Sequence, residues 1–478
     1  MYTFSNRLKT FSIILMVLGL LGVGYGFMTS HKSLEDVKTM LAEEASHGHG
    51  GHADSHGAEH AKEGHGESHS DANHHEEAAS HGEASEHHGD EHAEHVMHQI
   101  HNRPYAALYV AAFFFFMIAL GVLAFYAIQY AAQAGWSPVL FRVMEGITAY
   151  VLPGGLLVLA VAAFGGSHLF IWMDESVVAH DEIIQAKQGW LNTPWFFIRG
   201  FIFLAGWSAY RYFSRKFSIA QDNVEGNSNF KKNFRISAAF LVFYIYTESM
   251  MSWDWIMSVD PHWFSTLFGW YVFASMFVSG ITVIALITIY LKSKGLLEFV
   301  NDSHLHDLAK FMFGISIFWT YLWFSQFMLI WYSNIPEEVV YFVARIEDYK
   351  LPFFGMVAMN FVFPLLLLMN SDYKRIPWFV VMAGIVILCG HYLDVFNMIM
   401  PATVSERWFI GAPEIGAICL FAGIFLFLVF RALSKAPLLA KGNPFMKESA
   451  EFFLDFLVLR LADLRKLIVN INYYTKAT

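Results

Sequence analysis

The stretch Tyr244–Phe268 reads YIYTESMMSWDWIMSVDPHWFSTLF and places three acidic residues along one apolar segment. Glu248, Asp254 and Asp260 all precede Pro261, where the apolar run ends. A carboxylate at the centre of a bilayer costs several kcal/mol unless it is paired, protonated or hydrated. The position of each acid in this segment therefore requires an explanation. With a helical rise of about 1.5 Å per residue, Glu248 and Asp260 lie about 18 Å apart in depth. This spacing predicts a proton path between the membrane interior and one surface.

A structural role for the same acids stays open. Asp254 can pair with a neighbouring helix, and Asp260 can cap the segment at the membrane interface. Glu248 lies deeper, which favours a functional role for it. Glu248 and Asp254 point about 120° apart on a helix, so they cannot act as one carboxylate pair from this helix alone.

The composition is that of a polytopic membrane protein. Of the 478 residues, 56% are hydrophobic and 15% are charged, and long uncharged apolar runs recur. The two cysteines, Cys389 and Cys419, lie in apolar runs, so no disulfide framework is implied. The sequence has no CxxCH haem attachment motif, no iron–sulfur cysteine spacing, no P-loop and no Rossmann fingerprint. Redox chemistry would therefore need a diffusible cofactor or a partner subunit.

Ten apolar runs are each long enough to cross a hydrocarbon core of about 30 Å. They are Phe11–Met28, Ala106–Ala132, Ile147–Trp172, Pro194–Phe217, Ile236–Val259, Leu267–Leu291, Leu308–Tyr332, Phe353–Met369, Pro377–Met398 and Ile410–Ala432. The predicted fold class is all-α, a polytopic integral membrane protein with ten transmembrane helices. We interpret the first run as an uncleaved helix rather than a signal peptide, because no small-x-small cleavage site follows Phe27.

The distribution of basic residues predicts the orientation of these spans. With the N-terminus inside, the cytoplasmic segments hold 21 Lys and Arg residues and the outside loops hold eight. The cytoplasmic set is Arg7, Lys9, Arg142, Arg211, Arg215, Lys216, Lys231, Lys232, Arg235, Lys292, Lys294, Lys374, Arg375 and eight residues from Arg431 onward. Cytoplasmic loops carry such an excess, so both termini are expected in the cytoplasm. After the tenth span, Glu448–Asn470 is amphipathic, which predicts either a helix in the cytoplasmic headgroup layer or a docking helix for a neighbouring subunit.

A low-complexity segment separates the first two spans. Sixteen histidines fall between His47 and His101, and Gly48–Glu94 consists mainly of His, Glu, Ala, Gly and Ser. Such a segment cannot bury a core, so we expect a disordered periplasmic loop. Neutral imidazoles bind zinc, copper or nickel. The histidine spacing is irregular, however, which favours a solvated spacer with loose metal binding over one ordered metal site.

Further polar residues lie in or near other spans. His168 and Asp174 follow the third span near its outer face, and Gln326 lies in the middle of the seventh. His391 and Asp394 are three residues apart in the ninth span, so they share a helix face. A carboxylate beside an imidazole orients its tautomer and stabilises its protonated form, which predicts a proton acceptor. An interhelical hydrogen bond that holds the bundle together is the structural alternative.

Three strings of the sequence resemble one known family. They are SWDWIMSVDPHWFSTLFGWYVF from Ser252, FWTYLWFSQFMLIWYSNIPEE from Phe318 and HYLDVFNMIMP from His391. They look like the large membrane subunits of bacterial alternative complex III, a quinol:cytochrome c (or quinol:oxidase) oxidoreductase. The resemblance is closest to the ActF-type subunit within the polysulfide-reductase membrane-anchor (NrfD/PsrC-like) family, and it extends from Ala106 to Ala432.

The resemblance implies a domain organisation. Two four-helix bundles, formed by spans two to five and six to nine, are flanked by the first and tenth helices. The implied segments are an N-terminal transmembrane helix (1–30), the His-rich loop (31–105), the first bundle (106–265), the second bundle (266–400), the tenth helix (401–433) and a cytoplasmic tail (434–478).

The resemblance also implies partners and a substrate. The expected partners are a sibling membrane subunit of the same fold, iron–sulfur and c-type cytochrome subunits, a terminal oxidase in some assemblies, and lipids, with no nucleic acid. Clusters and haems belong to the partner subunits, and nothing is bound covalently here. Menaquinone or ubiquinone is the implied diffusible cofactor. In better-defined members a His and an Asp near the outer face bind quinol, and the candidates in this sequence are His168 and Asp174.

The predicted function is a multi-pass subunit of a respiratory quinol-oxidising complex in the bacterial inner membrane, contributing to quinone binding or proton translocation. The predicted proton route comprises Glu248, Asp254, Asp260, Gln326, His391 and Asp394, and no metal site is predicted. Either this subunit or its sibling oxidises the quinol. Two alternatives stay open, a purely structural anchor and a proton-coupled secondary transporter. Broken helices at Gly154 and Gly155 or at Pro364 would mark a transporter site.

Overall fold

The structure, a computed structural model, describes residues 2–47 and 80–452, and over these ranges the secondary structure is helical without a strand. The helices are α1 (Asn6–Ser30), α2 (Leu34–His47), α3 (Ser80–Ala131), α4 (Phe141–Ile147), α5 (Val151–Phe164), α6 (Gly166–Leu169), α7 (Glu175–Val178), α8 (Glu182–Lys187), α9 (Thr193–Gln221), α10 (Ser228–Trp255), α11 (Phe268–Ser293), α12 (Asp302–Ser333), α13 (Pro336–Glu347), α14 (Lys350–Val357), α15 (Phe363–Leu368), α16 (Pro377–Val404), α17 (Ala412–Leu433) and α18 (Met446–Ala450). The predicted all-α class is confirmed for the part of the chain that the structure describes.

Eight segments of the described ranges are long and apolar enough to cross a membrane. They are Asn6–Ser30, His92–Ala131, Pro138–Phe164, Phe268–Ser293, Asp302–Ser333, Lys350–Leu368, Pro377–Val404 and Ala412–Leu433. Two further predicted spans correspond to α9 and α10, which are 29 and 28 residues long. Polar and charged residues such as Arg199 and Asp254 lower the mean hydropathy of these two helices. The chain therefore has the helices of a multi-pass membrane protein.

The long helices α1 and α17 pack against each other in antiparallel directions. A Cβ atom on Gly22 would lie 2.9 Å from Gly416 Cα, and one on Gly26 would lie 2.5 Å from Pro413 Cβ. Only glycine allows two helix backbones to approach this closely. The start of α1 and the end of α17 consequently lie on one face of the molecule, which we name the terminal face. The opposite face is named the distal face.

Contacts between loops show that α9 and α10 join the same two faces. On the terminal face, the Gly442 N–H group, beyond α17, donates to Asp222 Oδ1 at the end of α9 over 2.8 Å. On the distal face, Lys187 Nζ, before α9, donates to the Pro261 carbonyl beyond α10 over 2.5 Å. Both helices therefore run between the faces that the eight apolar segments connect.

The helix α3 lies at the centre of the molecule. It packs against α5, α10, α11, α16 and α17. The helices α3, α5, α9 and α10 contact one another in a ring, α11, α12, α14–α15 and α16 pack together beside it, and α3 also packs closely on α11 and α16. The amphipathic helix α13 connects α12 to α14 on the distal face. This arrangement directs the polar residues of α11, α12 and α16 toward a shared interior.

Residues Ser80–Glu94 of the His-rich insertion are helical, which corrects the prediction of disorder for that part of Gly48–Glu94. Residues Ser80–Glu94 belong to α3, and α2 packs against this extension through a small apolar cluster of Val37, Ala93 and Val96. Ala and Glu continue a helix readily once α3 has nucleated it, and α2 supplies the apolar surface that the segment lacks by itself. Residues 48–79 and most of the predicted amphipathic tail lie outside the described residues.

Candidate functional site

Asp394 of α16 is fully buried and accepts hydrogen bonds from three side chains. Tyr271 Oη donates to Oδ1, while Ser275 Oγ and Trp319 Nε1 each donate to Oδ2 over 2.8 Å. The donors belong to α11 and α12, so the carboxyl group links three helices. Donors of this kind compensate for the hydration that an acid loses on burial. We name Tyr271, Ser275, Trp319, His391 and Asp394 the Asp394 cluster.

His391 lies one turn before Asp394 and shares its helix face, as the three-residue spacing predicted. Its Nδ1 atom is 2.9 Å from Ser275 Oγ and 3.4 Å from Asp394 Oδ2. Its Nε2 atom is buried and has no hydrogen-bond partner among the described residues. The Ser275 hydroxyl therefore bridges the imidazole and the carboxyl group, while Nε2 stays available to take or give a proton.

A break between α14 and α15 brings a further polar side chain to the cluster. Residues Ala358–Val362 form a π-helical turn directly before Pro364. Because proline has no N–H group, the carbonyl of Asn360 loses its helical partner and the helix widens. The Asn360 side chain then reaches to 3.4 Å from His391 Nδ1. Gly390 leaves room for it, since a Cβ atom there would lie 2.1 Å from Asn360 Oδ1.

A narrow cavity lies beside the Asp394 cluster, between Tyr271 and α13. Its volume is about 10 Å³, which is room for about one water molecule. Its polar lining includes Tyr271, Gln326, Arg345 and Asn397. Gln326, predicted on the proton route, is therefore separated from Asp394 by this cavity and by the Tyr271 ring.

Arg345 of α13 is a buried charge that the sequence analysis missed. Its Nε atom donates to the Asn397 carbonyl over 3.0 Å and its Nη1 atom donates to the Tyr341 carbonyl over 2.7 Å. Among the described residues its Nη2 atom has no hydrogen-bond partner, and no carboxylate there lies at ion-pair distance. Glu337 and Glu338 lie in the first turn of α13, and nothing in their spacing shows that Arg345 of the same helix is buried.

Glu248 of α10 is buried, with only 3% of its surface exposed, and its Oε1 atom has no partner among the described residues. It precedes the end of α10 by seven residues, which places it about 10 Å inside the distal end of that helix. No hydrogen bond joins Glu248 to the Asp394 cluster in the described part of the chain. Glu248 is thus a separate buried acid in the first helix group.

Asp254 links α10 to α9 through a bidentate ion pair. Arg199 Nε lies 2.6 Å from Asp254 Oδ2, and Arg199 Nη2 lies 3.0 Å from Oδ1. Trp190 Nε1 also donates to Oδ1 over 2.8 Å, and its ring stacks on the guanidinium at 4.2 Å. Both carboxylate oxygens are engaged, which is the geometry of a helix-to-helix link. These contacts match the structural role considered for Asp254, pairing with a neighbouring helix. We therefore do not count Asp254 among the proton-carrying residues.

The remaining acid of that stretch, Asp260, lies on the distal face. It follows the turn Met257–Val259 and is half-buried. Glu248, Asp254 and Asp260 are not joined to one another by any hydrogen bond in the described ranges. The three acids therefore occupy three different environments along one segment rather than a continuous chain.

A second site surrounds His168, on the distal face. His168 lines an open cavity of about 390 Å³ together with His31, His101 and Tyr105. The Tyr105 and His168 rings stack at 4.4 Å, and the His31 and His101 rings stack at 5.4 Å. His168 Nδ1 lies 2.8 Å from Asn102 Oδ1, an acceptor, so Nδ1 carries the proton and Nε2 is an acceptor. Phe27, Met28 and Pro104 complete the apolar wall.

Asp174 lies outside this cavity, which corrects the prediction that it shares a headgroup site with His168. Its backbone is extended, and its Oδ1 atom accepts hydrogen bonds from the Ser176 hydroxyl over 2.6 Å and the Ser176 N–H group over 2.9 Å. These bonds, the hydroxyl first, lower the pKa of Asp174. The side chain caps α7, as an aspartate at a helix N-cap does.

Metal binding by preformed clusters finds no support in the described ranges, where no three His, Cys, Asp or Glu side chains are arranged to hold an ion. No protein-family model matches the chain, and no curated protein matches it. The functional argument therefore rests on the geometry of the Asp394 cluster and of the His168 cavity.

Proposed function

We propose that this chain is a membrane subunit of a quinol-oxidising respiratory complex of the alternative complex III type, in which the Asp394 cluster carries protons and the His168 cavity holds the quinol headgroup. The observation that carries the proposal is the fully buried Asp394–Ser275–His391 arrangement with its unpartnered Nε2 atom. Buried titratable groups in a membrane helix are functional by default, because they are costly to keep there.

Two features favour proton movement over the alternatives. A purely structural link would satisfy all its polar atoms, whereas His391 Nε2 and Asn360 Oδ1 stay unsatisfied at a cost of about 1–3 kcal/mol each. The helix break before Pro364 is the feature that a transporter would show, but a secondary transporter also needs a substrate cavity at its buried acids, and the cavity beside Tyr271 has a volume of only about 10 Å³. Water and protons fit there, and larger solutes do not.

The chemistry assigned to His168 follows from its tautomer. Oxidation of a quinol releases two electrons and two protons, so a proton acceptor must lie beside a quinol hydroxyl. Asn102 fixes the proton on His168 Nδ1 and thereby leaves Nε2 to accept one from the hydroxyl. The second proton would leave through the open cavity to the distal solvent, and the two electrons would pass to an iron–sulfur cluster held by a partner subunit. The ring of Tyr105 and the apolar wall suit a planar aromatic headgroup.

The helix arrangement supports ten crossings in two four-helix bundles. The two groups of neighbours around α3 correspond to spans two to five and six to nine, and α1 with α17 flanks them. The basic segments predicted as cytoplasmic fall on the terminal face, so we place that face in the cytoplasm and the distal face in the periplasm. One side of α1 is exposed, including Leu18, Leu21 and Met28, and we assign it to lipid or to the sibling subunit.

The test is a comparison of two Asp→Asn variants in the purified complex. Asp394→Asn removes the buried titrating group, while Asp348→Asn removes an exposed acid on the distal face as a matched control. After haem and iron–sulfur content have verified assembly, proton release per electron is measured in liposomes. We expect a lower proton yield for Asp394→Asn and no change for the control.

Two results contradict the proposal. The first is an assembled Asp394→Asn complex with normal turnover and normal proton yield, which removes the cluster from proton transfer. The second is purification of the chain without haem- or cluster-containing partners, which would contradict its membership of a respiratory complex.

A further inference from the structure

An open cavity on the terminal face takes no part in the proposed function. It has a volume of about 550 Å³ and lies between the start of α1 and the end of α11. Two cations, Arg7 and Lys294, line it, and no acidic residue from the described part of the chain does. Neither cation forms an ion pair within the described ranges, and Lys294 lies over the Tyr290 ring at 5.7 Å. The cavity therefore presents uncompensated positive charge.

A buried hydroxyl in the wall of the same cavity lacks a partner. Tyr2 lines the cavity, is only 6% exposed, and its Oη atom has no hydrogen-bond partner among the described residues. An unsatisfied buried hydroxyl is costly, so native structures rarely keep one. A bound group with an acceptor oxygen satisfies it, and this observation is independent of the two cations.

An apolar track continues from the cavity along α1. Phe11 lines the cavity and is 51% exposed, and Ile14 and Leu18, which follow it toward the middle of the helix, are 49% and 55% exposed. A free inorganic anion has no apolar surface, so this track contributes nothing to its binding. A phospholipid does, because its acyl chains need apolar surface directly beneath the site that holds its phosphate.

We propose that this cavity binds the headgroup of an anionic phospholipid from the leaflet on the terminal face, with the phosphate between Arg7 and Lys294, Tyr2 Oη as a hydrogen-bond donor, and the acyl chains along the Phe11 side of α1. Basic pockets between membrane helices attract anionic headgroups in this way. The proposal depends only on the membrane location of the chain and not on quinol oxidation.

The experiment measures lipid binding to the detergent-purified full chain by native mass spectrometry and by thermal unfolding. The probes are phosphatidylglycerol, phosphatidylcholine and inorganic phosphate. The test variant is Arg7→Gln with Lys294→Gln. The matched control is Lys231→Gln with Lys232→Gln, which removes two exposed charges from the same face outside the cavity.

We expect phosphatidylglycerol to bind and to raise the melting temperature of the wild type and of the control, with affinity reduced about 30-fold in the Arg7 and Lys294 variant. Tyr2→Phe, which keeps the ring, should weaken phosphatidylglycerol binding and should not lower the melting temperature in the absence of lipid, because it removes a buried hydroxyl that has no partner in the described part of the chain. Three results overturn the proposal: equal binding of phosphatidylcholine, equal stabilisation by inorganic phosphate alone, or unchanged phosphatidylglycerol affinity in the Arg7 and Lys294 variant.

Discussion

The ion pair between Arg199 and Asp254 gives a direct test of a structural role against a proton-carrying role. Asp254→Asn keeps the shape of the side chain but removes the charge that both Arg199 nitrogens contact at 2.6 and 3.0 Å. The Asp254 side chain is fully buried and that of Arg199 is only 13% exposed, so solvent screens the pair little. Removing one partner of a buried pair costs about 3–5 kcal/mol. Arg199 keeps two hydrogen bonds to the Trp190 carbonyl, which places the expected loss near the lower limit, about 3 kcal/mol.

The assay is reversible unfolding of the purified chain in mixed micelles, followed by tryptophan fluorescence. The double variant Arg199→Leu with Asp254→Leu removes both charges at once, so no unpaired charge stays buried. It should recover stability to within about 1 kcal/mol of the wild type. The reasoning is refuted if Asp254→Asn unfolds like the wild type while the assembled complex loses proton yield. That outcome would return Asp254 to the proton route.

Three other perturbations have defined outcomes. The sequence predicts Glu248 on the proton route, and its carboxyl group is buried with one oxygen unpartnered among the described residues, so Glu248→Gln should keep assembly and slow quinol oxidation or lower proton release per electron. Unchanged turnover and proton yield in liposomes would limit the route to the Asp394 cluster. Gly390→Ala should lower the free energy of unfolding by about 1–3 kcal/mol, because the added Cβ atom would lie 2.1 Å from Asn360 Oδ1. The loss is measured as a lower melting temperature, and an unchanged melting temperature would contradict this packing. The Ile184 N–H group, and more weakly His262, lower the pKa of Asp181. This stabilisation is present above an unfolded pKa of about 3.9 and is lost as pH falls through the lower folded value. Asp181→Asn should therefore speed proteolysis of the loop that holds α7 and α8 at pH 7, and the difference from the wild type should vanish in strong acid. A difference that persists in strong acid would argue against a role for the carboxylate charge.

Local sequence patterns predicted the elements that depend on near neighbours. The spacing of His391 and Asp394 was enough to place both on one face of α16, and hydropathy was enough to find most spans. The partners of those residues were not predictable in the same way. Asn360 reaches His391 only because Pro364 widens its helix, and no pattern in a single chain predicts how far such a turn rotates a side chain.

Two further differences have equally physical causes. Asp174 lies close to His168 in the sequence, but an extended backbone at Asp174 turns its carboxylate onto Ser176. Arg345 looks like a surface residue of an amphipathic helix, and its burial depends on the packing of α13 against distant helices. Where a residue's surroundings come from other helices, sequence spacing carries little information about them.

The contact between α1 and α17 also has a consequence for membrane insertion, because it can form only after α17 has been synthesised. The first helix leaves the ribosome long before its partner, because α1 begins at Asn6 and α17 ends at Leu433. At a translation rate of about 5–20 residues per second, the glycine face of α1 waits about 20–80 s for the helix that covers it. During that interval Gly22 and Gly26 are accessible to insertases, to chaperones and to the helices of other nascent subunits. A chain truncated before Ala412 lacks α17 and therefore leaves that face of α1 without the helix that covers it.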